Sequence, residues 1–173
     1  NQNGDTIGLG DPIFDPAKIT AVNGVACEEG TYASLRFLDS FYFVDDDGQI
    51  YLYLTRGQDR YNIIEQLAGE DPELAAQISA QFERDQSDIW VVKCKDFATP
   101  DYSSAVQLTR VGYASMEGDE TSDIDKERAS TDKINEGPQV YRHGDKYYLV
   151  YSVGSTSSNL YSVAQAVSDS PMG

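Results

Sequence analysis

EGPQVYRHGDKYYL, residues 136–149, has a counterpart earlier in the chain, DSFYFVDDDGQIYL, residues 39–52. Each opens on a carboxylate, runs through a short apolar strand and a polar turn containing glycine, and closes on an aromatic strand ending in Tyr-Leu. Thirteen residues lead from Asp39 to Leu52, and thirteen from Glu136 to Leu149. Each unit is followed, after an insert of different length, by one more strand-like run, DIWVVKC (88–94) and YSVAQAV (161–167). A unit of several antiparallel strands recurring with variable inserts is how a β-propeller blade reads in sequence. The innermost strand of a blade starts near the propeller axis. The repeat therefore predicts that Asp39 and Glu136 are equivalent residues of neighbouring blades, aimed at one central pocket.

Strand signals dominate the rest of the chain. FYFV (41–44), QIYLYLT (49–55), AVQLTRV (105–111), PQVY (138–141) and KYYLVYS (146–152) are short runs of aromatic and β-branched residues, with Asp47-Gly48 and Gly144-Asp145 supplying turns. One segment breaks the pattern. In DPELAAQISAQFER, Asp71 can cap a helix, Pro72 suits its first position, and Leu74, Ile78 and Phe82 recur on one face. With the preceding RYNIIEQL it predicts a short helical insertion at about 61–86. Residues 115–135 are polar, charged and aperiodic. The expected organisation is a lead-in at 1–34, a blade at 35–112 carrying the insertion, a polar loop at 113–133 and a further blade at 134–173.

The 173 residues are 40% hydrophobic and include twelve tyrosines, enough to bury a core. The 29 acidic against 13 basic residues leave a net charge of −16, which argues against nucleic acid or an anionic membrane as a partner. Cys27 and Cys94 are too far apart for a zinc knuckle, and form either one disulfide or two buried thiols.

Two carboxylates facing one pocket suit glycoside hydrolysis. One acid protonates the leaving oxygen, while another carboxylate activates water or sets the first one's pKa. Gly137 lets the backbone turn tightly beside a ligand, and Pro138 enters an inner strand without needing a ladder N–H. Other acidic and nucleophilic features are better read as structural. Asp45-Asp46-Asp47-Gly48 lacks the spacing of a calcium-binding EF-hand and suits a hairpin turn, so no metal ligand is assigned. His143, the single histidine, sits at a turn, and no Ser–His–Asp arrangement is supported. The strand tyrosines suit packing between blades better than sugar stacking.

The segment 134–173 resembles the general-acid blade of glycoside hydrolase family 43, five-bladed propellers acting on arabinose- and xylose-containing polysaccharides. The resemblance rests on Glu136-Gly137-Pro138, on Tyr147-Tyr148-Leu149 with Tyr151-Ser152, and on the closing Ala166-Val167-Ser168-Asp169-Ser170-Pro171-Met172-Gly173. The preceding blade is matched by Leu38-Asp39-Ser40, Phe43-Val44-Asp45-Asp46-Asp47-Gly48 and Tyr51-Leu52, with Ser40 in place of the usual proline. The resemblance covers the central portion of such a protein. It implies an all-β propeller fold of which about two blades are present, with Glu136 as general acid and Asp39 as the aspartate that modulates the acid's pKa. The general base of the family, an aspartate in an Asp-Pro motif, has no secure match; Asp11 and Asp15 are weak candidates. Substrate-binding residues are unassigned.

The implied function is inverting hydrolysis of arabinose- or xylose-containing saccharides, of α-L-arabinofuranosidase or β-xylosidase type. The alternative is a non-catalytic carbohydrate-binding or assembly fragment lacking the base. The implied partners are a carbohydrate substrate and the remaining blades, expected on another chain or fragment. No cofactor is required from this segment, and a structural calcium would belong to the complete propeller. The expected setting is extracellular, with the bacterial cytoplasm as the alternative.

Overall fold

The computed structural model describes residues 12–33, 35–57, 72–73, 87–109, 134–154 and 161–173. Ten strands lie among them. β1 (Ala21–Val22) and β2 (Val25–Ala26) form a small hairpin. β3 (Phe37–Val44), β4 (Ile50–Arg56), β5 (Asp88–Asp96), β6 (Thr99–Pro100) and β7 (Val106–Gln107) form the first main sheet, and β8 (Asn135–His143), β9 (Lys146–Val153) and β10 (Ser162–Ser168) the second. Both main sheets are antiparallel meanders at their core, β3-β4-β5 and β8-β9-β10. The architecture is all-β, as the strand patterning predicts.

β4 lies between β3 and β5 in the first sheet, and its residues 51–55 are all buried. Continuous burial of a strand requires cover on both faces. Leu52 and Leu54 face one side, where they pack with Ile19, Trp90, Val92, Cys94 and Ala105. Tyr51 and Tyr53 face the other, against Ile89, Val91, Val140 and Leu149. The second cluster joins the two sheets, since Val140 and Leu149 belong to β8 and β9. The tyrosines Tyr51 and Tyr53 therefore serve packing between sheets. Burial pushes the Tyr53 phenol above its usual range, and its hydroxyl donates to Pro171 O at 2.5 Å, tying β4 to the end of the second unit.

The cover on the first face comes from the lead-in. Asp15 caps a single 3₁₀ turn, Pro16–Lys18, with its Oδ1 accepting from Ala17 N at 3.0 Å. Ile19 is fully buried, and Phe14, Cys27 and Tyr32 pack against the same cluster. The lead-in thus contributes Ile19, with Phe14, Val22, Cys27 and Tyr32 around it, to the first unit's core.

Two elements differ from their sequence signals. AVQLTRV (105–111) yields only the two-residue β7. Past Gln107, Thr109 Oγ1 accepts the Ile89 N–H at 2.9 Å, so a side chain takes the ladder acceptor's place. Residues 110 and 111 lie outside the described residues. The insertion predicted at about 61–86 also lies outside them, except for Pro72 and Glu73, which are helical. So does the loop 113–133.

Candidate active site

Both carboxylates of the repeat sit at irregularities in the first strand of their sheet. In β3, Leu38 pairs with Thr55 and Phe41 with Tyr53, so Asp39 and Ser40 together oppose Leu54. In β8, Glu136 pairs with Ser152 and Gln139 with Val150, so Gly137 and Pro138 oppose Tyr151. Each is a β-bulge with one extra residue, and each contains one left-handed residue, Asp39 at φ 51° and Gly137 at φ 63°.

The expected equivalence of Asp39 and Glu136 is corrected by one position. By strand pairing Asp39 matches Gly137, Ser40 matches Pro138, and Glu136 matches Leu38. The equal thirteen-residue separations arise because two differences cancel. Asp39 comes one residue later in its bulge, and the turn from Val44 to Ile50 is one residue longer than that from Arg142 to Tyr147.

A bulge removes a backbone N–H from the ladder, and a partly buried N–H needs an acceptor. Gly137 N donates to Thr55 Oγ1 at 3.1 Å. Thr55 is fully buried and pairs with Leu38. One hydroxyl therefore bridges the two sheets at the residue before Asp39 and the residue after Glu136. The second sheet is also anchored by Asn135, whose N–H donates to Ser87 O at 3.0 Å and whose Nδ2 donates to Thr109 Oγ1 at 3.1 Å.

The two carboxyl groups have different surroundings. Glu136 is half-buried, and its Oε1 accepts from the Tyr161 hydroxyl at 3.0 Å. Asp39 is exposed and lines a cavity of about 270 Å³ with Pro12, Ile13, Phe14, Leu38 and Ser40. Glu136 is not among that cavity's lining residues. Of the base candidates, Asp15 is engaged as a helix cap and lies 3.8 Å from Lys18 Nζ. Asp11 lies outside the described residues. His143 is exposed at the β8–β9 turn.

The acidic turn 45–47 acts in joining the sheets. Asp45 Oδ1 accepts from Arg142 Nη1 at 2.9 Å and Asp45 Oδ2 from the Tyr147 hydroxyl at 2.6 Å, while Asp46 takes the same guanidinium at 2.8 Å. Burial of the Asp45 carboxyl opposes its ionisation. The bonds from Tyr147, from Asp46 N–H and from Arg142 outweigh that and hold Asp45 below the usual carboxylate range.

Sequence reasoning missed Thr55, Tyr161 and a buried acid, Asp88. Asp88 is 1% exposed and accepts from Arg56 Nε and Nη2 at 2.8 Å each, from Trp90 Nε1 at 2.7 Å and from Gln107 Nε2 at 2.7 Å. Four donors satisfy a carboxylate that burial would otherwise penalise. The signal for Thr55 was present in the repeat: Thr55 and Ser152 are hydroxyl residues in matching places, each opposite the residue that opens a bulge. Cys27 and Cys94 are both free thiols, which settles the alternatives left open by their spacing.

Known structures share this architecture. An endo-1,4-beta-xylanase from Bacteroides thetaiotaomicron VPI-5482 superposes with TM-score 0.54 at 24% identity, over 85% of this chain and 38% of its own. A thermostable family-43 glycoside hydrolase superposes with TM-score 0.56 at 22% identity, over 95% of this chain and 38% of its own. An endo-arabinase from the same Bacteroides strain does so with TM-score 0.50 at 19% identity, over 83% and 42%. The chain thus spans about two fifths of each of these structures, and its sheets are of their β-propeller type. No curated protein matches the chain. The sequence model of glycosyl hydrolases family 43 matches residues 77–173, more than half of the chain, with Glu136 inside the matched segment and Asp39 upstream of it. The chain belongs to glycosyl hydrolase family 43.

Proposed function

We propose that the polypeptide carrying this segment is an inverting glycoside hydrolase acting on arabinose- or xylose-containing saccharides, with Glu136 as general acid and Asp39 as its modulating carboxylate. The observation that carries the reading is the seam at Thr55, which gathers the Glu136 and Asp39 bulges at one edge of two sheets in a family 43 chain. Asp39 adds support. It is one of two described non-glycine residues with positive φ, the other being Asn23 in a hairpin turn, and a strained residue of this kind persists where surrounding structure enforces it. Backbone strain of this type concentrates at functional sites.

In the proposed reaction Glu136 gives its proton to the glycosidic oxygen as the bond to the anomeric carbon breaks. The leaving sugar departs as an alcohol. Water attacks the opposite face, losing its proton to a second carboxylate, and the anomeric configuration inverts. That base is unassigned, with Asp11 and Asp15 the weak candidates this chain offers. Arabinan and xylan backbones are the substrates to test first, because the similar structures named above include an endo-1,4-beta-xylanase and an endo-arabinase.

The test compares two leaving groups in the full-length protein. Unactivated arabino- and xylo-oligosaccharides need protonation to leave, whereas p-nitrophenolate leaves readily without it. Glu136→Gln should lower kcat on the oligosaccharides by about 10²- to 10⁴-fold and on p-nitrophenyl glycosides far less. An equal loss on both substrates, or no loss, would remove Glu136 from the acid role.

A further inference from the structure

We infer that Thr55 is a positioning residue for the proposed general acid, acting through the peptide of Gly137. The inference rests on the proposed role of Glu136 and extends it to a residue of the neighbouring sheet. Thr55 is fully buried at the end of β4, and its place in the ladder is held on both sides, by Leu38 in β3 and Ile89 in β5. Its hydroxyl therefore presents an acceptor at a fixed point. The Gly137 N–H that it receives, at 3.1 Å, belongs to the peptide joining Glu136 to Gly137.

That peptide needs an external hold. The bulge takes residues 137 and 138 out of regular pairing, and Pro138 has no N–H of its own to offer. Gly137 is left-handed, and among the described residues a Cβ built on it would meet nothing closer than Ser152 Oγ at 4.0 Å, so no close packing with them holds the backbone there. The rotation of the 136–137 peptide plane sets where the Glu136 Cα–Cβ bond points. A hydrogen bond from that plane to a rigid strand fixes the direction, and the Tyr161 hydroxyl then holds Oε1 at 3.0 Å. Because Leu38 is paired with Thr55, the same residue locks the bulge that carries Asp39. The two carboxylates thereby keep a common reference point across the seam.

The experiment again uses the contrast between unactivated oligosaccharides and p-nitrophenyl glycosides. Thr55→Val removes the acceptor while keeping the side-chain shape, and should lower kcat on oligosaccharides by about tenfold with little change in KM, and lower it much less on p-nitrophenyl glycosides. Thr55→Ser should restore both rates. Thr109→Val, which deletes another hydroxyl that bridges the sheets, should leave the ratio of the two rates unchanged. Should Thr55→Val fail to fold, Thr55→Cys against Thr55→Ser makes the same comparison, since the two side chains are of similar shape and differ in acceptor strength. A rate ratio that is unmoved in Thr55→Val or Thr55→Cys, or moved equally by Thr109→Val, overturns the inference while Glu136→Gln retains its leaving-group dependence. Loss of that dependence in Glu136→Gln overturns the acid assignment itself.

Discussion

Asp39 and Gly137 hold the same register position in two hairpins, each the left-handed residue of a bulge opposite a single residue of the next strand, Leu54 and Tyr151. A glycine adopts that conformation without steric cost, whereas an aspartate, though among the side chains that visit it most readily, retains a Cβ clash. Replacing Asp39 by glycine should therefore stabilise the fold by about 1 kcal/mol, and by alanine should leave the strain in place. Under the proposed function both changes lower activity, so Asp39→Gly is expected to raise Tm and reduce kcat together. A stability gain absent from Asp39→Gly would show that the bulge does not strain this residue.

Asp88 carries a prediction about the core. Its carboxylate neutralises the Arg56 guanidinium, which is 16% exposed, and also receives Trp90 and Gln107. Asp88→Asn breaks a bidentate pair between two largely buried groups and exchanges two acceptor oxygens for one, and should cost about 3–5 kcal/mol. Urea unfolding followed by fluorescence reports it directly, because Trp90 is the single tryptophan of this sequence and touches the altered group.

Asp45 predicts a pH dependence of the junction between sheets. Its carboxyl is held below the usual carboxylate range when folded, so it binds its proton less readily in the folded than in the unfolded chain. The resulting stability is present above the unfolded value of about 3.9 and is lost as pH falls through the lower folded value. Asp45→Asn should therefore cost about 1–2 kcal/mol near neutral pH, a difference that closes in acid. Arg142 is a third exposed, so moderate salt should narrow the gap as well. Thermal denaturation of both proteins across a pH series checks the sign.

Tyr161 predicts a rate effect without a stability effect. It is 43% exposed, and its one described side-chain partner is Glu136. Tyr161→Phe should change stability by less than about 0.5 kcal/mol and lower kcat on unactivated oligosaccharides by about tenfold. Unchanged turnover would mean that Glu136 needs no side-chain partner to hold it.

The thiols predict an asymmetry of labelling. Cys94 is buried in the first core cluster, and burial together with Asp96 and Asp101 pushes its pKa up to about 11. Only the thiolate reacts, so Cys94 should resist alkylation at pH 8 until the protein unfolds, while the less buried Cys27 reacts first. Mass spectrometry of native and denatured samples counts the adducts, and reducing agent should leave stability unchanged.

Much of this could be read along the chain. Alternating aromatic and β-branched residues specify strands because they suit a pleated, half-buried surface, and glycine-containing turns mark where each hairpin folds back. The same signals misjudge ends. AVQLTRV has strand composition throughout, yet Thr109 ends the pairing with a side-chain hydrogen bond that composition does not reveal. Asp15, one of the two candidates for the general base, also caps the turn Pro16–Lys18, a local role that the Asp-Pro pair by itself does not separate from a catalytic one.

The sequence by itself determined an all-β chain of two related hairpin units, each opening on a carboxylate, with the motifs that place it among family 43 proteins. These are local properties, set by residue type and period. Only the tertiary structure decided that Asp39 matches Gly137 rather than Glu136, because a bulge and a longer turn add residues in different places and the sum conceals them. It also decided that Thr55, 82 residues from Gly137, receives its N–H. Hydrogen bonds between separate sheets depend on how the sheets pack face to face, and no short-range pattern encodes that packing.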